Sequence, residues 1–246
     1  MLLSLLLIAC TESPAPIDSP GWVLSGVTWQ QGWDTAGLTR SGDAWSTVTD
    51  LGYTVEITRG YLTTYSLGLE PCPEALRPPV PGWGLLSTAR AAHGPTINAA
   101  TLPHSRAVDL LALSDTTLAS LTFPQSRFCE VTTLVARADK RTEGIPEGVA
   151  LEGASLMLTG HWQRGSERED FDVKSTLANS SRLTLEDTAH IGTGEVATIS
   201  IRHRAKSLFD GIELATESDA RILRGVLTNL IAHTTTTATL TPLENR

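Results

Sequence analysis

The chain has 246 residues, a formal net charge of −8 and only 19 % charged residues. This acidic balance argues against nucleic acid and against an anionic membrane surface as partners, because neither would be attracted electrostatically. The length is sufficient for one large all-β domain or two smaller ones. Threonine occurs 33 times; because it suits a half-solvated pleated surface and is neutral to poor in helices, the composition favours a β protein.

The first ten residues, MLLSLLLIAC, are apolar and uncharged. The run is too short to span a bilayer, which takes about 20 residues, and it has the length of a signal-peptide core. Leu7-Ile8-Ala9-Cys10 resembles the lipobox of bacterial lipoproteins, although no Lys or Arg precedes it. The resemblance implies that residues 1–9 are a signal peptide and that Cys10 is acylated and becomes the mature N-terminus. An ordinary secretory signal with an incidental cysteine is the alternative.

The residue after that cysteine bears on the membrane. In Gram-negative lipoproteins an Asp at this place favours retention at the inner membrane, and here it is Thr11, so the resemblance implies the outer membrane of the cell envelope. Residues 10–20 are rich in Pro and Ser, which predicts an extended tether. The folded domain is then expected at residues 21–246, held to the membrane through the N-terminal lipid.

Three cysteines occur in the chain. If Cys10 carries lipid, Cys72 and Cys129 remain as an even pair in an oxidising compartment, which predicts a disulfide. Closing the loop between them would stabilise the fold by roughly 4 kcal/mol. Two unpaired buried thiols are the alternative.

Residues 51–72, LGYTVEITRGYLTTYSLGLEPC, alternate between apolar and polar side chains. Large apolar or aromatic residues occupy most odd positions: Leu51, Tyr53, Val55, Ile57, Tyr61, Tyr65, Leu67 and Leu69. Such a period of two predicts a strand with one buried face. Arg59-Gly60 interrupts the pattern, which indicates either a bulge in one long strand or a turn between two strands.

Short alternating runs recur along the rest of the chain. They occupy residues 22–30, 45–49, 107–113, 117–123, 127–139, 154–164, 171–178, 182–187 and 194–204. Many short strands at this spacing predict a mainly β protein, an antiparallel β-sandwich. Residues 73–103 are irregular, and residues 140–150 are a candidate subdomain boundary. Residues 105–138, which contain AVDLLALSDTTLASLTFPQSRFCEV, are weakly similar to the MbnP-like periplasmic domain, whose namesake is associated with copper. That resemblance implies a β-sandwich, but no ligand motif of the family can be placed on residues here.

One amphipathic C-terminal helix is predicted over residues 217–232. Its apolar residues recur at helical spacing: Leu223, Val226, Leu227, Leu230 and Ile231. Thr216 and Asp219 have the spacing of a capping box. Gly225 is expected to cost the helix up to about 1 kcal/mol. Residues 234–241, rich in threonine, are expected to form a last strand or a disordered end.

Common catalytic and cofactor motifs are absent from the sequence, including GxSxG, HExxH, the P-loop, GxGxxG and the EF-hand loop. We therefore expect a non-catalytic binding or interaction role at the cell envelope, without a cofactor and with an unidentified protein or small-molecule partner. A periplasmic copper-binding protein is the second hypothesis, with His93 and His104 as ligands, completed by a carboxylate such as Glu70, Asp109 or Glu130. An enzyme of unknown type is the third.

Two other groups of residues have competing interpretations. Residues 166–172, SEREDFD, could bind Ca²⁺ through Glu167, Glu169, Asp170 and Asp172, but the interleaved Arg168 favours a solvated hairpin loop. The six tryptophans could form a sugar-binding surface, but packing in the core is favoured. His203 shares the parity of Ile199 and Ile201 and is expected to be a partly buried structural residue.

Overall fold

The computed structural model describes residues 25–72, 101–102, 104–112, 115–123, 127–185, 191 and 194–242. The predicted signal peptide, the tether, Cys10, His93 and most of the irregular stretch lie outside these residues. No helix in the described part of the chain is long and apolar enough to cross a bilayer.

The described residues form strands and one longer helix. The strands are β1 (Ser25–Asp34), β2 (Thr39–Ser41), β3 (Ala44–Val48), β4 (Thr54–Pro71), β5 (Arg106–Asp109), β6 (Thr116–Phe123), β7 (Phe128–Val135), β8 (Leu156–Arg164), β9 (Glu167–Ser175), β10 (Asn179–Thr184), β11 (Glu195–Arg204) and β12 (Thr234–Pro242). The helix is α1 (Asp219–Ala232).

The strands form two packed sheets, which confirms the predicted mainly β sandwich. The first sheet has the order β12-β11-β1-β6. The second sheet is built around β4, which pairs with β3, β5, β7 and β8, and β9, β10 and β2 extend it outward. All pairs are antiparallel except β1 with β11, which is parallel. Strands before and after residues 140–150 belong to the same second sheet.

Strand β4 is one long strand interrupted by bulges, which confirms the first of the two predicted alternatives for Arg59-Gly60. Its register shifts at three places: against β8 between Ile57 and Arg59, and against β7 between Thr64 and Ser66 and between Glu70 and Pro71. A one-residue slip moves the following side chains to the other face. The core-facing positions therefore change from odd (Tyr53, Val55, Ile57) to even (Leu62, Thr64) and back to odd (Leu67, Leu69).

The bulges overturn part of the predicted alternation. Tyr61 lies on the opposite face of β4, where residues 138–154 cover it with Leu151 and Ala154. Thr63, also on that face, donates its hydroxyl to the Ala154 carbonyl at 3.1 Å. Tyr65, predicted to face the core, is 38 % exposed because it lies at the second bulge.

The C-terminal half of β4 faces the first sheet directly. Leu67 and Leu69 pack in one cluster with Val27, Trp29 and Ile199 of the facing sheet. At the end of this half the structure joins Cys72 to Cys129 on β7, with Cα atoms 4.9 Å apart. The cysteine pairing predicted from the sequence is therefore seen, and it fastens β4 to its neighbour.

The N-terminal half of β4 belongs to a separate core cluster, which includes α1 and the segment 205–214 before it. Helix α1 buries Leu223, Val226, Leu227 and Leu230, as its spacing predicts. Its N-cap is Ser218, which makes no side-chain cap bond, so the predicted capping box at Thr216 is wrong. Gly225 lets Ile212 approach, since a Cβ there would lie 2.8 Å from Ile212 Cδ1. The threonine-rich tail forms β12.

Candidate functional site

A cleft of about 290 Å³ opens between the β8–β9 hairpin and the segment 209–222 that leads into α1. The lining residues are Leu158, Trp162, Glu169, Asp170, Phe171, Asp172, Val173, Phe209, Leu214, Ala215, Thr216, Glu217, Asp219 and Ile222. No Lys, Arg or His of the described chain is among them.

The floor of the cleft is apolar and fixed by packing. Trp162, Phe209 and Leu214 are buried in the surrounding core. The Phe171 and Phe209 rings lie 6.4 Å apart, and the Trp162 ring meets Tyr53 edge-on at 5.2 Å. Because these rings are held from behind, the aromatic surface is preformed, as is usual for small-molecule sites.

A partly buried polar contact holds the helix-side wall in place. Tyr53, just before β4, donates its hydroxyl to Glu213 and accepts the backbone N–H of Ala215 at 3.2 Å. The Arg164 guanidinium lies 4.2 Å from the centre of the Tyr53 ring and 3.0 Å from Glu213 Oε1. Residues 213–215 are thereby tied to both β4 and β8, which sets the width of the cleft.

The rim of the cleft carries carboxylates from both walls. Glu169 has the parity of Phe171 and Val173, so alternation places it on the inner face of β9. Glu217 and Asp219 stand opposite, at the start of α1. Among the described residues none of these three carboxylates forms an ion pair. Glu213, which precedes Glu217 in the chain, is by contrast paired with Arg164. The rim is therefore negatively charged without a counter-charge of its own.

The alternation of side chains along β9 also argues against the predicted calcium site. Residues 167–175 form strand β9, and the hairpin turn lies at Gly165-Ser166. Most of residues 166–172, which the sequence assigns to a hairpin loop, are therefore part of the strand. Asp170 and Asp172 border the cleft, but they have the parity of the outer face of β9. There Asp172 accepts the Thr159 hydroxyl at 3.1 Å and Asp170 lies 3.8 Å from Arg168. The four carboxylates do not converge, and no described group of three or more His, Cys, Asp or Glu side chains is arranged to hold a metal.

Only one of the two predicted copper ligands lies in the described part of the chain. His104 is exposed in a hollow lined by Tyr65, Ser105, Asp139 and Arg141. His93 lies outside the described ranges, so the pairing of these two histidines stays a prediction. Two proposed companions have other partners. Asp109 accepts the Leu111 N–H at 2.8 Å, and Glu130 lies 3.8 Å from Arg182.

His203 lies in a buried polar chain between the two sheets, deeper than the sequence indicates. Thr64 donates to Gln31 Oε1 at 2.8 Å, the Gln31 amide donates to His203 Nε2 at 2.8 Å, and His203 Nδ1–H donates to Thr234 Oγ1 at 2.7 Å. Thr234 in turn donates to the Leu230 carbonyl. Desolvation lowers the pKa of His203 from 6.5 to about 4, against an opposing contribution from Leu230. The ring is neutral and structural.

The described tryptophans are core residues. Trp29, Trp33, Trp45 and Trp162 are all buried, as the favoured interpretation predicts for these four. Only Trp162 contributes to the cleft, as part of its floor. Trp22 and Trp83 lie outside the described ranges.

The sequence shows the acidic run of β9 as a motif, but it does not indicate that the run borders a cleft. In the sequence Glu217 and Asp219 belong only to the start of a helix. The signal available was the concentration of acids before α1, and only the fold brings it to β9. Comparison of this chain with protein-family models, with curated proteins and with solved structures returned no match.

Proposed function

We propose that this protein is a lipid-anchored protein of the bacterial cell envelope, held at the outer membrane through Cys10, and that it binds a ligand without acting on it chemically. The cleft between the β8–β9 hairpin and α1 is the binding site. The observation that carries this proposal is the combination, in that cleft, of a fixed aromatic floor with carboxylates that have no ion-pair partner among the described residues.

The binding role is supported by the size and lining of the cleft. A volume of about 290 Å³ is close to the lower end of the range for small-molecule sites, roughly 300–1,000 Å³. Its lining combines the partly buried Phe171 ring with carboxylates, and polar groups of this kind orient a ligand in such sites.

The anchoring role is supported by the cysteines. The disulfide joins Cys72 to Cys129 and leaves Cys10, within the lipobox-like Leu7-Ile8-Ala9-Cys10, as the third cysteine of the chain. A disulfide is stable in an oxidising compartment outside the cytoplasm. Two or three acyl chains would hold the protein firmly, since each buried methylene adds about 0.8 kcal/mol.

The anchor is tested by expressing the full chain in a Gram-negative host and analysing its N-terminus by mass spectrometry. We expect a mature chain that begins at an acylated Cys10 and fractionates with the outer membrane. Cys10→Ser should remove the lipid, and Thr11→Asp should move the protein to the inner membrane, while Thr11→Ser should not. An unacylated chain that retains Met1 would contradict the proposal.

The binding role is tested by filling the cleft. Thr216 is exposed and lines it, so Thr216→Trp should block access, whereas Thr237→Trp on β12 places the same side chain outside the cleft. Small molecules released by denaturing each purified protein are compared by mass spectrometry. We expect a compound that is lost only in Thr216→Trp and is recovered unchanged after rebinding. Conversion of that compound into a product would contradict a non-catalytic role.

A further inference from the structure

The rim of the cleft presents negative charge to whatever enters it. Glu169 stands on one wall and Glu217 and Asp219 on the other, and no cationic side chain from the described residues lines the space between them. Like charges that face each other across a cavity repel, and a cation placed between them removes that repulsion. The helix dipole accounts for Asp219 in the first turn of α1, but it does not account for Glu169, which lies on a strand.

The floor beneath these carboxylates is aromatic. Phe171 is only partly buried, and its ring lies 6.4 Å from that of Phe209. Aromatic faces attract cations, more strongly where water is excluded. The protein already uses this contact beside the cleft, where Arg164 lies over the Tyr53 ring and pairs with Glu213. An apolar group could occupy the floor while its charged end met the rim.

Resting on the proposed binding function, we propose that the cleft binds a small organic cation, an ammonium group attached to an aromatic or aliphatic body. A bare metal ion does not fit this arrangement, because no three His, Cys, Asp or Glu side chains among the described residues converge on one point. The cleft volume of about 290 Å³ suits a molecule of modest size. An anionic ligand would meet uncompensated carboxylates on both walls.

The test uses the full mature chain and two probes of nearly the same shape, phenethylammonium and the neutral phenethyl alcohol. Isothermal titration calorimetry at low ionic strength should show at least tenfold tighter binding of the cation. Because exposed charges are screened by salt, that preference should shrink at about 0.5 M NaCl. Equal affinity for the two probes, or tighter binding of the alcohol, would overturn the proposed charge selectivity while leaving a binding cleft in place.

Variants of the rim carboxylates then test which residues bind the cation. Glu169→Gln should weaken binding of phenethylammonium two- to fivefold, and the combined Glu169→Gln, Glu217→Gln and Asp219→Asn variant at least tenfold. Glu147→Gln is the matched control, since Glu147 is exposed and does not line the cleft. Circular dichroism confirms that each variant is folded. Unchanged affinity in the triple variant, or competition by Ca²⁺ alone at equimolar concentration, would overturn the proposal. Acylation of Cys10 is measured separately, so failure here and failure of the proposed envelope role are distinguishable.

Discussion

The two halves of β4 show what each kind of covering does to a sheet. The C-terminal half faces another sheet, is sealed by a cluster that includes Leu67 and Trp29, and ends at the disulfide. The N-terminal half faces α1 and the segment before it, and the cleft opens beside them. The four-stranded sheet closes over the C-terminal half, whereas the cleft stays open on the side of the helix. We therefore expect changes in the closed half to affect stability and changes around the cleft to affect binding.

The largest effect is expected where the closed half is fastened. Replacing both Cys72 and Cys129 by Ala should lower the free energy of unfolding by roughly 4 kcal/mol, because the unfolded chain regains the freedom of the closed loop. Urea unfolding followed by tryptophan fluorescence measures this. Cys10→Ser is the control and should leave the midpoint unchanged. A loss below about 1 kcal/mol would mean that the bridge does not constrain the unfolded chain as proposed.

The second effect concerns His203 and pH. Its pKa is lowered from 6.5 to about 4 by burial, so between these values the unfolded chain binds a proton that the folded chain does not. Stability should therefore be complete above pH 6.5 and fall as the pH drops towards 4, by about 3 kcal/mol in total. Among residues 25–72, 127–185 and 194–242, no other titratable side chain lines the small cavity beside this ring.

Urea titrations across this range measure the pH effect. His233→Gln, which changes a histidine at the exposed C-cap of α1, should retain the whole dependence. His203→Gln should be less stable at neutral pH and should lose this part of the dependence. A wild-type stability that stays level between pH 7 and pH 4 would contradict a buried neutral imidazole.

The third effect tests the first bulge of β4. Gly160 lies opposite Ile57, and a Cβ there would lie 2.0 Å from the backbone carbonyl oxygen of Glu56. Gly160→Ala should therefore force β8 away from β4 and cost about 2 kcal/mol. Gly225→Ala is the matched control, because the atom in its way is the flexible end of Ile212 and the helix gains up to about 1 kcal/mol in propensity. Equal costs at the two positions, by urea unfolding, would argue against a rigid contact at the bulge.

The smallest effect is expected at the cleft rim. The double variant Glu169→Gln and Glu217→Gln should change the free energy of unfolding by no more than about 0.5 kcal/mol, since neither carboxylate has an ion-pair partner in the described chain. Glu213→Gln should cost about 1 kcal/mol, because it weakens the contacts with Arg164 and Tyr53. If the rim variants destabilised the protein as much as Glu213→Gln, the rim carboxylates would be structural.

The strands, the helix and the cysteine pairing could be predicted from the sequence. The strands and the helix follow from local periodicity, and the pairing follows from the number of cysteines. The faces on which Tyr61 and Tyr65 lie could not be predicted. A bulge depends on the neighbouring strand, and after it the odd and even positions exchange faces. The capping box failed because spacing alone does not decide which of Thr216 and Ser218 becomes the N-cap. Of the cleft, the sequence shows only the acidic residues of β9, since β9 and the start of α1 meet through tertiary packing.

The parallel pairing of β1 with β11 has a consequence for how the protein comes to be folded. Gln30 and Ser200 are neighbours across these strands and lie 170 positions apart in the chain. A chain that emerges from its N-terminus can pair β1 with β6, but the opposite edge of β1 has no partner until β11 is made. Such long-range pairing makes assembly slow and open to aggregation, so this edge of β1 is among the last parts of the sheet to be completed.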